Sequence, residues 1–251
     1  MKGGYFEAFT RTWAPIADLR LSEKDANEKK TMNTHLHILE AYTNLYRIAP
    51  ETGIRQSIVR LLIDFDSHII NKKDNHLHLF MDEDWKVKSS AISFGHDIEA
   101  AWLLLEAAEI TGDEKWIQKM KANAVKMTDA AMEGLDIDGG LWHETDSDHL
   151  LKEKHWWPQA EAMVGFVNAW QITRDESYLQ QALRTWEFIK QYIIDNDKGE
   201  WLWGVRSDYS AITEEDKVGL WKCPYHNGRA CLEVIRRLSQ AKYAGSMFLG
   251  S

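Results

Sequence analysis

The 251-residue chain is 44% hydrophobic and carries 39 acidic against 30 basic residues, a net charge of −9. That is apolar material for one sizeable core, and the acidic balance excludes a phosphate-neutralising surface for nucleic acid. Its longest apolar runs, such as AAWLLLEAA, fall far short of the about 20 residues of a membrane span, and two cysteines behind a start with no signal-peptide pattern point to the reducing cytoplasm.

The opening KGGYFEAFTRTW reads as the end of a hairpin, so the chain is expected to start in the middle of a structural unit. Apolar residues then recur at three- and four-residue spacing over 32–48, 54–70, 98–110 and 114–132, and again over 158–172, 178–194 and 227–238, which predicts seven helices. Between alternate helices, HLHLFMD (76–82), DGGLWHE (138–144) and GEWLWGVR (199–206) read as short hairpins or loops.

A repeat links these elements. Thr111-Gly112-Asp113-Glu114 recurs as Thr173-Arg174-Asp175-Glu176, and 173 − 111 = 62; the same step carries His37 to Glu99 and Glu99 to Glu161. One unit is therefore a helix pair plus a hairpin. Such pairs predict an all-α toroid, a single domain over 1–251, whose inner helices aim their N-terminal residues into a shared pocket. Only about three and a half units are visible, too few to close a ring of six pairs, so the toroid is expected to be incomplete at its N-terminus. An open ring would expose inner-helix apolar surface and invite self-association.

The 12 tryptophans cluster outside regular stripes, as in HWWP, GEWLWG and GLWKCPYH. Flat apolar faces of this kind suit the C–H faces of sugar rings, although most individual tryptophans belong in cores. Asn33 and His37 share one helix face, with Glu40 three residues on. His96 and Glu99 lie three apart, which would let the carboxylate orient the imidazole for acid/base work. His226 opens the last helix, as Pro158 and Glu161 open theirs. The remaining histidines, His68, His76, His78, His143, His149 and His155, read as surface or structural groups. A metal site from His35, His37 and His96 is disfavoured, because helical residues two apart diverge by about 200°. Glu99 and Glu161 could instead form a glycosidase-type carboxylate pair. Asp97 faces away from Glu99. No phosphate loop, dinucleotide fingerprint or serine-nucleophile motif occurs, and nothing calls for a cofactor.

The segments MNTHLHILEAY, SFGHDIEAAW, HWWPQAEAM and KCPYHNGRACLE, in this order, resemble those of cellobiose 2-epimerases in the wider N-acylglucosamine 2-epimerase superfamily, and the likeness runs from about Gly3 to Leu238. The resemblance implies an (α/α)6 barrel and a cofactor-independent, reversible inversion at C2 of the reducing-end glucose of a β-1,4-linked disaccharide. Cellobiose would give glucosyl-mannose and lactose epilactose, through a cis-enediolate. It further implies His96 and His226 as the acid/base pair, with His226 the base from glucose to mannose. His37 would support them beside Asn33, Glu99 would assist His96 and ring opening, and Glu161 would lie in the same site. Trp157 and Trp221 would hold the sugar, with Trp156 adjacent. Relatives have further N-terminal helix pairs, with an arginine near sugar O1 and O2, and the tail after Leu238 has no obvious family counterpart. Two other readings stay open: an α/α-toroid glycoside hydrolase using Glu99 and Glu161, and a catalytically inactive fragment with a sugar-binding or interaction role.

Overall fold

A computed structural model describes residues 3–20, 26–147 and 149–247. Seven α-helices alternate between an inner and an outer layer: α1 (Met32–Ile48), α2 (Thr52–Asp64), α3 (Phe94–Thr111), α4 (Glu114–Ala131), α5 (Trp156–Thr173), α6 (Glu176–Phe188) and α7 (Tyr225–Met247). The inner helices α1, α3, α5 and α7 pack in series, and each outer helix lies against the inner helix before it. This is the helix-pair toroid expected from the repeat.

The layers follow from composition. α3 and α5 are buried on nearly every face, from Phe94 to Thr111 and from Trp156 to Ala169, whereas α4 and α6 bury only a stripe (Met120, Ala124, Met127; Tyr178, Ala182, Thr185). Inner helices can approach closely because glycine stands at the crossing. A Cβ on Gly165 would lie 2.3 Å from Ile98 Cγ1, and one on Gly95 2.6 Å from the Trp157 ring.

The 62-residue step is visible in the backbone. α4 and α6 are each capped by the aspartate of the repeated turn: Asp113 accepts from Lys115 N (3.1 Å) and Asp175 from Ser177 N (2.9 Å). The residues that end α3 and α5, Gly112 and Arg174, both take the left-handed conformation at φ 67° and 61°. The outer helices are shorter than the apolar periodicity suggested. α2 and α6 each pass into a single π-turn, Phe65–Ile69 and Ile189–Ile193, and 189 − 65 = 124, twice the step. Conversely, α7 continues beyond Leu238 to Met247, while 248–251 of the tail lie outside the described residues.

Short antiparallel ladders cover one end of the helices. β1 (Lys30–Thr31) pairs with β2 (Phe80–Met81), and β3 (Ile92–Ser93) pairs with β4 (Glu144–Asp146), which also pairs with β5 (His149–Leu151). β6 (Glu153–His155) pairs with β7 (Gly204–Arg206). β1, β3 and β6 each run directly into the N-terminus of an inner helix, so the ladders fix where those helices begin. A buried ion pair adds to this: His76 Nδ1 meets Asp97 Oδ2 at 2.7 Å, and Asp97 Oδ1 accepts from Leu77 N at 2.8 Å. Asp97 thus faces the hairpin and not Glu99, and His76 is a buried structural group.

Candidate active site

The N-termini of the inner helices open into a cavity of about 780 Å³ lined by Asn33, His37, His96, Trp156, Trp157, Trp221 and His226, all of them singled out from the sequence. Two further candidates sit in the layer beneath. His37, Glu99 and Glu161 hold the same place on their helices, since 37 − 32, 99 − 94 and 161 − 156 are each 5. Glu99 and Glu161 are fully buried below the cavity floor.

Trp157 stands between the two candidate acid/base groups, its ring centroid 4.5 Å from His96 and 5.5 Å from His226. His226 Nδ1 donates to Glu161 Oε1 at 2.7 Å, because a carboxylate only accepts; Trp102 Nε1 donates to the other oxygen at 3.0 Å. Nε2 is then the His226 nitrogen left for the cavity. The expected pairing of His96 with Glu99 does not form. His96 Nδ1 meets Ser93 Oγ at 2.8 Å, and Glu99 turns down to Arg229. In an α-helix a side chain three residues C-terminal reaches back over the preceding turn, but here the buried guanidinium is the stronger partner for a carboxylate with no access to water.

Arg229 of α7, missed in the sequence, organises this buried layer. Its Nη2 donates to Glu99 Oε1 (2.7 Å) and Glu161 Oε1 (2.6 Å), and its Nη1 to Glu40 Oε1 (2.6 Å) and Tyr225 Oη (2.5 Å). Tyr225 in turn donates to Glu40, which also faces His37 Nδ1 at 3.4 Å. One guanidinium thereby joins α1, α3, α5 and α7. The signal was present in the spacing, because Arg229 lies three residues after His226, one helical turn below it.

Burial, then the neighbouring His37, His143 and His226, keep the His96 imidazole well below its usual value, so it rests neutral. Burial would lower His37, but its bond to Glu40 and the charges of Glu99 and Glu40 raise it. Burial likewise opposes ionisation of Glu40, yet His37, Arg229 and Tyr225 hold it at about 2. Glu99 is raised by burial and by Glu161, whereas Glu161 is lowered despite burial by the Arg229 charge and His226. The two carboxyl groups are therefore pulled in opposite directions although they share a guanidinium nitrogen.

Two histidines assigned to surface or structural roles belong to the cavity: His143 and His155 line it, stacked at 4.0 Å. The sequence reading assigns both to outer helices or hairpins, and only the β-ladders turn their segments toward the helix mouths. His35, by contrast, is buried away from the cavity, where its Nδ1 meets Thr31 O (2.6 Å) and its Nε2 accepts from Tyr5 N (2.9 Å). The histidine trio considered for a metal is therefore not assembled. Glu99, Glu161 and His226 do offer donor atoms within 4.8 Å of one another, but Arg229 already occupies both carboxylates.

The N-acylglucosamine 2-epimerase (GlcNAc 2-epimerase) family profile matches residues 7–230. The cellobiose 2-epimerase of Bacteroides fragilis is 48% identical over 237 residues, covering 94% of this chain and 60% of that protein. Among solved structures, a sugar epimerase from a ruminal bacterium superposes with a TM-score of 0.89 at 39% identity, covering 93% of this chain and 60% of that one. The cellobiose 2-epimerase from Spirochaeta thermophila gives 0.84 at 40% identity, covering 96% and 60%. The chain thus spans about 60% of the length of the relatives it matches, and with its profile, its toroid and its histidine-lined cavity in agreement it belongs to the N-acylglucosamine 2-epimerase family.

Proposed function

We propose that this chain carries the acid/base half of a cellobiose 2-epimerase, which inverts C2 at the reducing-end glucose of a β-1,4-linked disaccharide. The observation that carries the reading is the placing of His96 and His226 around Trp157 in one cavity. Inversion next to a carbonyl needs one group to remove the C2 proton and a second to return it on the other face, and imidazole, which both accepts and donates a proton, suits both roles. Trp157, Trp156 and Trp221 supply stacking faces for the ring, and Asn33 and His37 supply polar contacts. The cavity lies within the ~300–1,000 Å³ usual for small-molecule sites and continues past the histidine pair to Glu153, His155, Trp203 and Arg206, which leaves room for a second sugar ring.

The neutral resting state of His96 matches the direction in which His96 is the base, from the mannose epimer to glucose. Conversion of glucose begins with neutral His226 as the base and His96 as the acid, so His96 must first gain a proton. A reversible enzyme visits both states.

The test is proton NMR of cellobiose with the purified chain in D2O. Deuterium entering at C2 together with a mannose-type anomeric signal is the expected result. His96→Ala and His226→Ala should each lower the exchange rate by about 10²–10⁴-fold. Absence of exchange from a folded sample would favour the inactive-fragment reading, with binding retained at the tryptophans. The hydrolase reading is disfavoured by geometry, because Glu99 and Glu161 both accept from Arg229 Nη2 and leave no gap for a glycosidic bond between them. Self-association is proposed on the outer side of α7, where Leu232 and Ile235 are 71% and 64% exposed beside an apolar groove of about 310 Å³.

A further inference from the structure

Three carboxylates, from Glu40, Glu99 and Glu161, converge beneath the cavity within reach of one guanidinium, and two imidazoles rest on them: His37 Nδ1 on Glu40 at 3.4 Å and His226 Nδ1 on Glu161 at 2.7 Å. Glu99 and Glu161 are fully buried and Glu40 nearly so. Buried carboxylates without a fixed positive charge take up protons or force their neighbours to hold them. An imidazole locked as imidazolium cannot remove a proton from carbon. The only permanent cation touching the three carboxylates among the described residues is Arg229, whose guanidinium does not deprotonate.

We propose that Arg229 is a positioning residue for the acid/base pair, the fixed counter-charge that keeps Glu161 an acceptor for His226 Nδ1 and thereby leaves His226 free to exchange its cavity-facing proton. The groups that face this centre are His37 and Glu40 from α1, His96 and Glu99 from α3, Glu161 and Trp157 from α5, and Tyr225 and His226 from α7; His143 lies on the far side of Trp157. Glu40 is held ionised by His37, Arg229 and Tyr225, so Arg229 serves it as well as Glu161. Aromatic contacts add geometry to charge: the guanidinium lies 4.8 Å from the Trp102 ring centroid and 4.3 Å from that of Tyr225. A lysine could supply the charge but not the fork that reaches three helices at once.

The inference rests on the epimerase reading only for its kinetic readout. The primary measurement is a pH titration of histidine-labelled protein by long-range 1H–15N NMR, with the His226 signals identified by their absence in His226→Gln. Arg229→Gln should raise the midpoint at which His226 becomes imidazolium by about one pH unit or more, the usual effect of removing an opposite-sign partner of its carboxylate. Glu40→Gln leaves Arg229 with one negative charge fewer and should lower that midpoint, and the double variant Glu40→Gln/Arg229→Gln should return it toward wild type. Arg229→Lys should hold the midpoint near wild type. In D2O exchange with cellobiose, the acidic limb of the rate profile should move with the His226 midpoint while KM stays within about twofold. An unmoved midpoint in Arg229→Gln overturns the proposal, as does a Glu40→Gln midpoint that stays put or rises. If Arg229→Gln fails to fold, the Glu40→Gln shift decides alone. If wild-type protein shows no exchange, the epimerase reading fails, and the NMR midpoints still decide the role of Arg229.

Discussion

At the scale of single residues, the buried polar groups fall into two kinds: those that build the site and those that hold a helix start in place. His76 and Asp97 are of the second kind. Burial disfavours a charge on either, but the bonds and charges of Asp97 and Glu133 raise His76 above its usual value, so the pair retains a proton to higher pH. Because the folded-state value lies above the unfolded one, this contribution to stability is fully present below about pH 6.5 and is lost as pH rises through the raised value. His76→Gln should therefore cost about 3 kcal/mol in mildly acidic solution. Urea unfolding across pH should show the gap to wild type narrowing as the solution becomes alkaline; a gap independent of pH would contradict the assignment.

At the scale of elements, the spacing of inner helices is set by glycine where α3 crosses α5. The Cβ of Gly165→Ala would press on Ile98 Cγ1 at 2.3 Å and on the Ile98 carbonyl at 3.1 Å. Overpacking of this sort costs about 1–3 kcal/mol, which a shift of the thermal or urea midpoint would register. Gly95→Ala meets Trp157 instead, at 2.6 Å. If the proposed epimerase reading holds, with Trp157 a stacking face and His96 and His226 the acid/base groups, that change should raise KM for the disaccharide more than it lowers kcat.

At the scale of the whole molecule, the helix pairs bury their apolar faces on their neighbours in series, and α7 ends the series with an outward stripe of Leu232, Ile235 and Leu238. Sedimentation of the wild-type chain should show an apparent mass that rises with concentration, and Ile235→Lys should suppress the rise without altering the C2 exchange rate. The opposite ends of the inner helices form a second cavity of about 500 Å³, lined by Arg47, Glu106, Asn168 and Arg237. Its polar groups are matched to one another: Glu106 meets Arg47 (2.7 Å) and Arg236 (3.9 Å), and Arg237 donates to the Asn168 amide oxygen (3.1 Å). It lies at the helix C-termini, where cations offset the dipoles. The chemistry of the fold is concentrated at the N-terminal mouths.

The sequence by itself determined the helix-pair repeat, because apolar period and turn chemistry are local, and a 62-residue step between Asp113 and Asp175 or between His37, Glu99 and Glu161 survives in linear order. It also pointed to His96 and His226 at corresponding helix starts, and the family resemblance added Asn33, Trp156, Trp157 and Trp221, whereas Trp203, which also lines the cavity, was not singled out. What it could not decide was who pairs with whom. Glu99 neighbours His96 along one helix, yet in the buried floor it binds an arginine from another, 130 residues away. His143 and His155 reach the cavity only because the β-ladders fold their segments across the helix mouths. Pairings of buried charges are settled by which partner removes the desolvation penalty most completely, and that depends on distances between helices, which only the packing of α1, α3, α5 and α7 against one another in series supplies.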